Sequence, residues 1–289
     1  MKTTNKPQNI ANEDWKYLII FDACRYDRFQ SHYKKYFNGV LEERVSPGRD
    51  TFEWLTQTWK EKYEDIRYIS TVPFCNSKNK IKGHKIEFSA AEHFKKVYDL
   101  WDWGWNNKKG TILPQTVNSV ARKEILKYPE HRFVIHYIQP HAPYLTFKDS
   151  ELLKIFSNKK NEKGKKSISD KFKNPNLTDI YRWFLTKIRI IISDEKIWKI
   201  KKNLGVNAST RMEKDWRKVG SEGIKKFYDE NLLVVMRHAK ELISHLPPGK
   251  VIISADHGEF LGEEERWGHN RNYPPAKELV HVPWLEVER

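Results

Sequence analysis

Cysteine is scarce in this chain: Cys24 and Cys75 are the only two in 289 residues. That excludes a disulfide framework and favours a reducing compartment. Long apolar runs are missing as well. No stretch approaches the roughly 18 consecutive apolar residues of a membrane span. Residues 1–14 are polar and contain no apolar h-region, so no secretory leader is expected. These absences predict a cytoplasmic protein, with peripheral membrane contact left open. Negative charge is in deficit: 38 Asp+Glu stand against 53 Lys+Arg, a formal net charge of +15. Such a balance attracts polyanions, whether nucleic acid, an anionic membrane face or a phosphorylated substrate.

What is present is enough for a globular fold. Hydrophobic residues make up 38% and aromatics 13%, including 11 Trp, which argues against general disorder. A chain of this length buries a sizeable core without a staple, as one large α/β domain or two small ones. There is no internal repeat.

Three short, continuous apolar runs read as buried parallel strands. They are Tyr17-Leu18-Ile19-Ile20-Phe21, Arg132-Phe133-Val134-Ile135-His136-Tyr137-Ile138 and Val251-Ile252-Ile253-Ser254-Ala255. Each is followed at once by residues able to do chemistry: Asp22, then Gln139-Pro140-His141, then Asp256-His257-Gly258. Sites in open α/β sheets lie just beyond the carboxyl ends of the strands. Further strands are expected over 66–71 and 281–286. Helical patterns fill 51–62, 114–128 and 220–245, with Pro114 suited to a first helical turn. The alternation predicts a three-layer αβα sandwich with a mostly parallel central sheet. Residues 151–220 differ in character. They hold 19 Lys+Arg against 8 Asp+Glu, a surplus of 11 out of +15. Residues 158–170 read as a polar loop, and 180–204 as one or two basic amphipathic helices. The block interrupts a single domain spanning 1–289 and is expected to be an insertion capping the site.

Each chemical residue has a plain reading beside the functional one. Asp22 at a strand end is costly to bury unless paired or bound to a cation. Taken alone it fits a helix cap, although Asp27 could cap a helix over 28–37 instead. Asp256 and His257 together offer an oxygen and a nitrogen ligand, and Gly258 lets the backbone turn away. His141 is fixed by prolines on both sides, and His269 follows in Trp267-Gly268-His269-Asn270; either could be an ordinary loop histidine. His136, inside a strand, reads as a satisfied core histidine. Thr51 stands at the start of a helix, where backbone N–H groups and the dipole favour an anion. Thr51 or Asp50 could equally be an N-cap. Arg49 beside it suits a phosphate or sulfate oxygen.

Taken in order, these segments resemble the alkaline phosphatase/sulfatase superfamily, most nearly its short sulfatase-like and phosphoglycerol-transferase-like members in archaea and bacteria. The resemblance is carried by Leu18-Ile19-Ile20-Phe21-Asp22-Ala23-Cys24-Arg25-Tyr26-Asp27, by Ser46-Pro47-Gly48 with Thr51, and by Gln139-Pro140-His141-Ala142-Pro143-Tyr144. It continues through Tyr228-Asp229-Glu230-Asn231-Leu232, Ser254-Ala255-Asp256-His257-Gly258-Glu259, Gly268-His269 and Val282-Pro283. It implies a divalent metal (Zn, Mn or Mg) held by Asp22, Asp256 and His257, with Thr51 as both nucleophile and ligand. It further implies that His141 and His269 bind a second ion or contact the transferred group. Two-metal members place an Asp four residues before the middle His; here that position is Tyr137. Glu259 or residues 263–265 are the carboxylates available to stand in.

The formylglycine context C/S-x-P-x-R is absent at Cys24, Cys75 and Ser46. Thr51 therefore points to phosphate esters or diesters, by hydrolysis or transfer, rather than to a formylglycine sulfatase. Two alternatives stand beside this: a sulfate-ester hydrolase lacking formylglycine, and a weakly catalytic scaffold whose basic insertion binds a polyanion. No nucleic-acid motif or stacking platform accompanies the charge, so 180–204 suits an anionic membrane surface better.

Overall fold

The structure is a computed structural model and describes residues 6–83, 86–146 and 192–288. Contacts divide the chain into two compact units. The first comprises residues 1–146, 225–259 and 276–289; the second comprises 147–224 and 260–275.

The first unit is built on a seven-stranded sheet. Its strands are β1 (Tyr17–Asp22), β2 (Asn38–Val45), β3 (Tyr63–Ser70), β4 (Phe94–Asp99), β5 (Arg132–Pro140), β6 (Val251–Ala255) and β7 (His281–Glu288). Their order across the sheet is β2-β7-β6-β1-β5-β3-β4. Strand β1 lies parallel between β6 and β5, and β3 pairs in parallel with β5 and β4. Strand β7 runs antiparallel to both of its neighbours. The three apolar runs are thus the three central strands. All six residues of β1 are buried, as strands covered on both faces require.

Helices cover both faces. Alternation along β1 sends Tyr17, Ile19 and Phe21 to one side. There they meet Phe29 of α1 (Tyr26–His32) and Val117, Ala121 and Ile125 of α3 (Pro114–Lys127). Leu232, Val235, Met236 and Ala239 of α5 (Arg211–Ile243) complete that layer. Leu18 and Ile20 face the other side, against Phe52, Trp54 and Leu55 of α2 (Thr51–Thr58). The result is the expected three-layer α/β arrangement.

Some expectations shift. The helix after β1 begins at Tyr26 with Arg25 in the N-cap position, so neither Asp22 nor Asp27 caps it. Asp27 lies within the first turn and holds the Arg25 guanidinium at 2.8 and 2.9 Å. The helix expected over 220–245 starts earlier, at Arg211, and is broken at Gly220, where φ is 68°. Helix α2 stops at Thr58. Strands β2 and β4 were not expected.

In the second unit, α4 (Asp194–Asn203) supplies the later part of the expected amphipathic segment. Trp198 is buried and packs on Trp216 at 5.6 Å, while Ile200 is exposed. Glu213 is fully buried and pairs with Lys201 and Arg217. Asp194 accepts hydrogen bonds from the Trp267 N–H and the Tyr273 hydroxyl. The loop expected over 158–170 and the helical pattern over 180–191 lie outside the described residues. Among the described residues, no helix is long and apolar enough to cross a membrane.

Candidate metal centre

Parallel pairing decides where the chemistry gathers. Phe21 of β1 is in register with Ala255 of β6, so Asp22 and Asp256 leave the sheet side by side. Asp22, Asp256 and His257 each present a ligand atom within 4.8 Å of the others. His257 Nε2 lies 3.7 Å from Asp22 Oδ1 and 3.5 Å from Asp256 Oδ2. Asp256 and His257 are fully buried and Asp22 is 5% exposed.

The local backbone aims these groups. The Ala23 and His257 N–H groups both donate to Asp256 Oδ1, at 3.0 and 2.9 Å. That leaves Asp256 Oδ2 facing Thr51 and His257. The Gly258 carbonyl lies 2.8 Å from His257 Nδ1. A carbonyl only accepts, so Nδ1 carries a proton, and Nε2 is the ring nitrogen turned toward the acidic pair. The Gly258 backbone comes so close to the Glu278 carbonyl that a Cβ would sit 2.3 Å from that oxygen. This close approach is what the glycine permits.

Thr51 joins them from the opposite layer. Its Oγ1 donates to Asp256 Oδ2 at 2.8 Å and lies 3.4 Å from His257 Nε2. Asp50 is the N-cap of α2: its carboxylate accepts the Glu53 N–H at 2.9 Å. That frees Thr51 from capping and leaves its hydroxyl at the positive end of the helix. Ser46 donates its hydroxyl to the Asp256 carbonyl, tying the loop before α2 to the same turn.

The electrostatics call for a cation. Burial pushes the Asp22 carboxyl well above the ordinary range, and the charges of Asp256 and Glu259 push it further. Asp22 Oδ1 is buried and accepts no hydrogen bond. Crowded, desolvated carboxylates are stable only when protonated or when a cation shares their charge. Two carboxylates, an imidazole nitrogen and a hydroxyl form a donor set that suits a divalent ion such as Zn, Mn or Mg. The residues present therefore fit a divalent ion.

The remaining candidates complete the inventory. His141 is half-buried, its N–H donating to the Asp22 carbonyl at 3.2 Å. One His141 ring nitrogen lies within 4.8 Å of a Glu259 carboxylate oxygen, and Glu259 is fully buried. His269 belongs to the second unit, after the short pair Phe260–Leu261 and Trp267–Gly268. Arg49 is half-exposed, and its Nε lies 3.6 Å from Glu53. Glu263, Glu264 and Glu265 engage Leu261, Arg266 and Ser193 within the second unit.

His136 is more than a core residue. Its Nδ1 meets the Tyr68 hydroxyl at 2.7 Å, and its Nε2 lies 3.8 Å from Asp256 Oδ2. Burial lowers its pKa to about 4 against the raising effect of Asp256, so the ring is neutral. Nothing in the strand pattern signalled this neighbour.

No family model matches the chain, and no curated protein matches it. Solved structures do. The chain is similar to the C-terminal periplasmic domain of EptC from Escherichia coli, solved in complex with Zn. That match has 13% identity, covers 97% of this chain and 75% of the other, and gives a TM-score of 0.48. The corresponding domain of phosphoethanolamine transferase EptC from Campylobacter jejuni matches at 14% identity. It covers 97% of this chain and 81% of that one, with a TM-score of 0.47. Phosphonate monoester hydrolase from Silicibacter pomeroyi matches at 14% identity over 94% of this chain and 67% of that one, with a TM-score of 0.43. At these identities and TM-scores the likeness carries no activity or substrate over to this chain.

Proposed function

We propose that this chain is a metal-dependent phosphate-ester hydrolase or phosphotransferase with Thr51 as its nucleophile. The observation that carries the reading is the Thr51 hydroxyl, 2.8 Å from Asp256 inside a buried trio of Asp22, Asp256 and His257. These four residues would hold the ion. When bound, a divalent cation lowers the hydroxyl pKa and offsets the charge of an incoming phosphoryl group.

The chain's own residues do the rest. The start of α2 turns the positive end of its dipole toward the phosphoryl oxygens that would meet Thr51. Asp256, held at Oδ1 by two backbone N–H groups, orients the Thr51 O–H through Oδ2. A Thr51 Oγ1–P bond forms as the ester P–O bond breaks, and the leaving alcohol departs. Water or a second alcohol then attacks the phosphothreonine and restores Thr51. Water gives hydrolysis; an alcohol gives transfer.

The test is turnover of p-nitrophenyl phosphate, bis(p-nitrophenyl) phosphate and p-nitrophenyl sulfate with added Zn, Mn or Mg. Turnover of a phosphate substrate should fall at least about a thousandfold in Thr51→Ala and Asp256→Asn, as when a nucleophile is removed elsewhere. EDTA should abolish it. Activity that survives both substitutions and EDTA would overturn the reading, and turnover of the sulfate alone would favour a sulfate-ester hydrolase.

A further inference from the structure

Asp22 owes its position to the turn that follows it. Ala23 has φ of 57°, in the left-handed region that alanine rarely adopts. Its N–H is committed to Asp256 Oδ1. Its carbonyl accepts a hydrogen bond of 2.8 Å from the Tyr228 hydroxyl. The same hydroxyl accepts the Arg25 N–H at 3.1 Å. Tyr228 is fully buried, so this two-way bridge has no competing water. One turn along the same helix face stands Asn231, also fully buried. Its Nδ2 donates to the carbonyls of Pro140 and His141 at 3.0 and 3.2 Å, and its Oδ1 accepts the Leu145 N–H at 3.0 Å. One face of α5 thus grips both the turn carrying Asp22 and the turn carrying His141. The two turns are themselves joined by the His141 N–H to Asp22 carbonyl bond.

We propose that Tyr228 is a positioning residue for the metal centre, holding the strained Ala23 turn so that Asp22 and Asp256 converge. The proposal rests on the metal-site reading above. Tyr228 is not among the residues that would hold the ion; it acts through the backbone of residues 23–25. A merely structural tyrosine would lower stability without altering affinity for the ion.

Zinc(II), titrated by calorimetry into metal-stripped protein, separates the two accounts. Asp256→Asn identifies the binding step that belongs to the trio. Tyr137→Phe is the matched control, because it removes an equally buried hydroxyl bonded to Asn118 and away from the turn. Tyr228→Phe should bind zinc about tenfold or more weakly, the usual effect of losing a group that orients a ligand. Its melting temperature should fall no further than that of Tyr137→Phe, which should bind within about twofold of the wild type. Adding Ala23→Gly to Tyr228→Phe should restore affinity, since glycine takes a positive φ without strain. If Tyr228→Phe alone does not fold, the double variant carries the comparison, and a tenfold loss there overturns the proposal. Unchanged affinity in Tyr228→Phe, or an equal loss in Tyr137→Phe, also overturns it while leaving the metal reading intact. A wild type that takes up none of Zn, Mn or Mg, or an Asp256→Asn variant that binds zinc as the wild type does, removes the metal reading and the positioning role together.

Discussion

Asp22 shows how one residue changes meaning with its surroundings. Along the chain it is an acid after an apolar run, as fit to cap a helix as to bind a cation. In the fold it is 5% exposed beside Asp256 and Glu259, with one oxygen lacking any hydrogen bond. Without a cation that arrangement is a cost. Asp22→Asn should therefore stabilise the metal-free protein, raising its melting temperature in EDTA by roughly 2–4 °C, or about 1 kcal/mol. The same variant should lose the stabilisation that added zinc gives the wild type. Differential scanning fluorimetry with and without zinc reads both effects, and a melting point lowered in EDTA would contradict the repulsion argument. His136 changed meaning too. Its place on the Val134 side of β5 was legible from alternation, but its neighbours Tyr68, Trp54 and Asp256 come from three other segments.

At the scale of elements, the strands of the seven-stranded sheet that sequence patterning found are the inner ones, and those it missed there are the edges. Strands β2 and β4 close the two ends of the sheet. Their sequences, Asn-Gly-Val-Leu-Glu-Glu-Arg-Val and Phe-Lys-Lys-Val-Tyr-Asp, carry charges that discourage edge-to-edge pairing, so they show no apolar run. Helix α2 is the element on which the nucleophile depends. Removing its cap with Asp50→Ala should cost about 1 kcal/mol and lower the melting temperature by roughly 2–4 °C. Gly48→Ala should do more harm, because a Cβ there would sit 2.2 Å from the Trp54 backbone nitrogen. That backbone cannot yield without moving the first turn of α2 and Thr51 with it. Soluble yield and thermal melting check both variants, and a Gly48→Ala protein that melts like the wild type would contradict the clash.

At the scale of the whole molecule, charge is the dominant feature. A net +15 should steer an anionic substrate, so kcat/KM for a phosphate ester should fall as salt rises from about 50 to 500 mM. A flat salt profile would mean that the surplus does not face the substrate's approach. We further propose that the basic block helps the protein dock on an anionic membrane. Sedimentation with phosphatidylglycerol vesicles should fall when residues 158–204 are deleted, and equal sedimentation by both forms would remove that idea. Acid should act on the second unit through Glu213. Burial pushes its carboxyl up, but the hydrogen bonds and charge of Lys201, with Ser209, outweigh that and hold it below the ordinary range. A depressed carboxyl stabilises the fold above its unfolded pKa of about 4.3 and loses that contribution as pH falls through the lower folded value. Glu213→Gln should therefore flatten the loss of melting temperature between about pH 5 and pH 3.

The sequence by itself determined the class of fold, because continuous apolar runs alternating with helical periods leave few other ways to bury so much side chain. It also marked the strand ends as the place for chemistry, and its resemblance to a known superfamily pointed to Asp22, Thr51, Asp256 and His257. Only the tertiary structure decided that these four meet. Their convergence depends on β1 lying between β5 and β6 in parallel register, and on α2 covering the opposite face from α5. Pairing order and register are long-range properties that no local pattern encodes. The same holds for Tyr228, whose hydroxyl means nothing until the helix is packed and the backbone of residues 23–25 is within its reach.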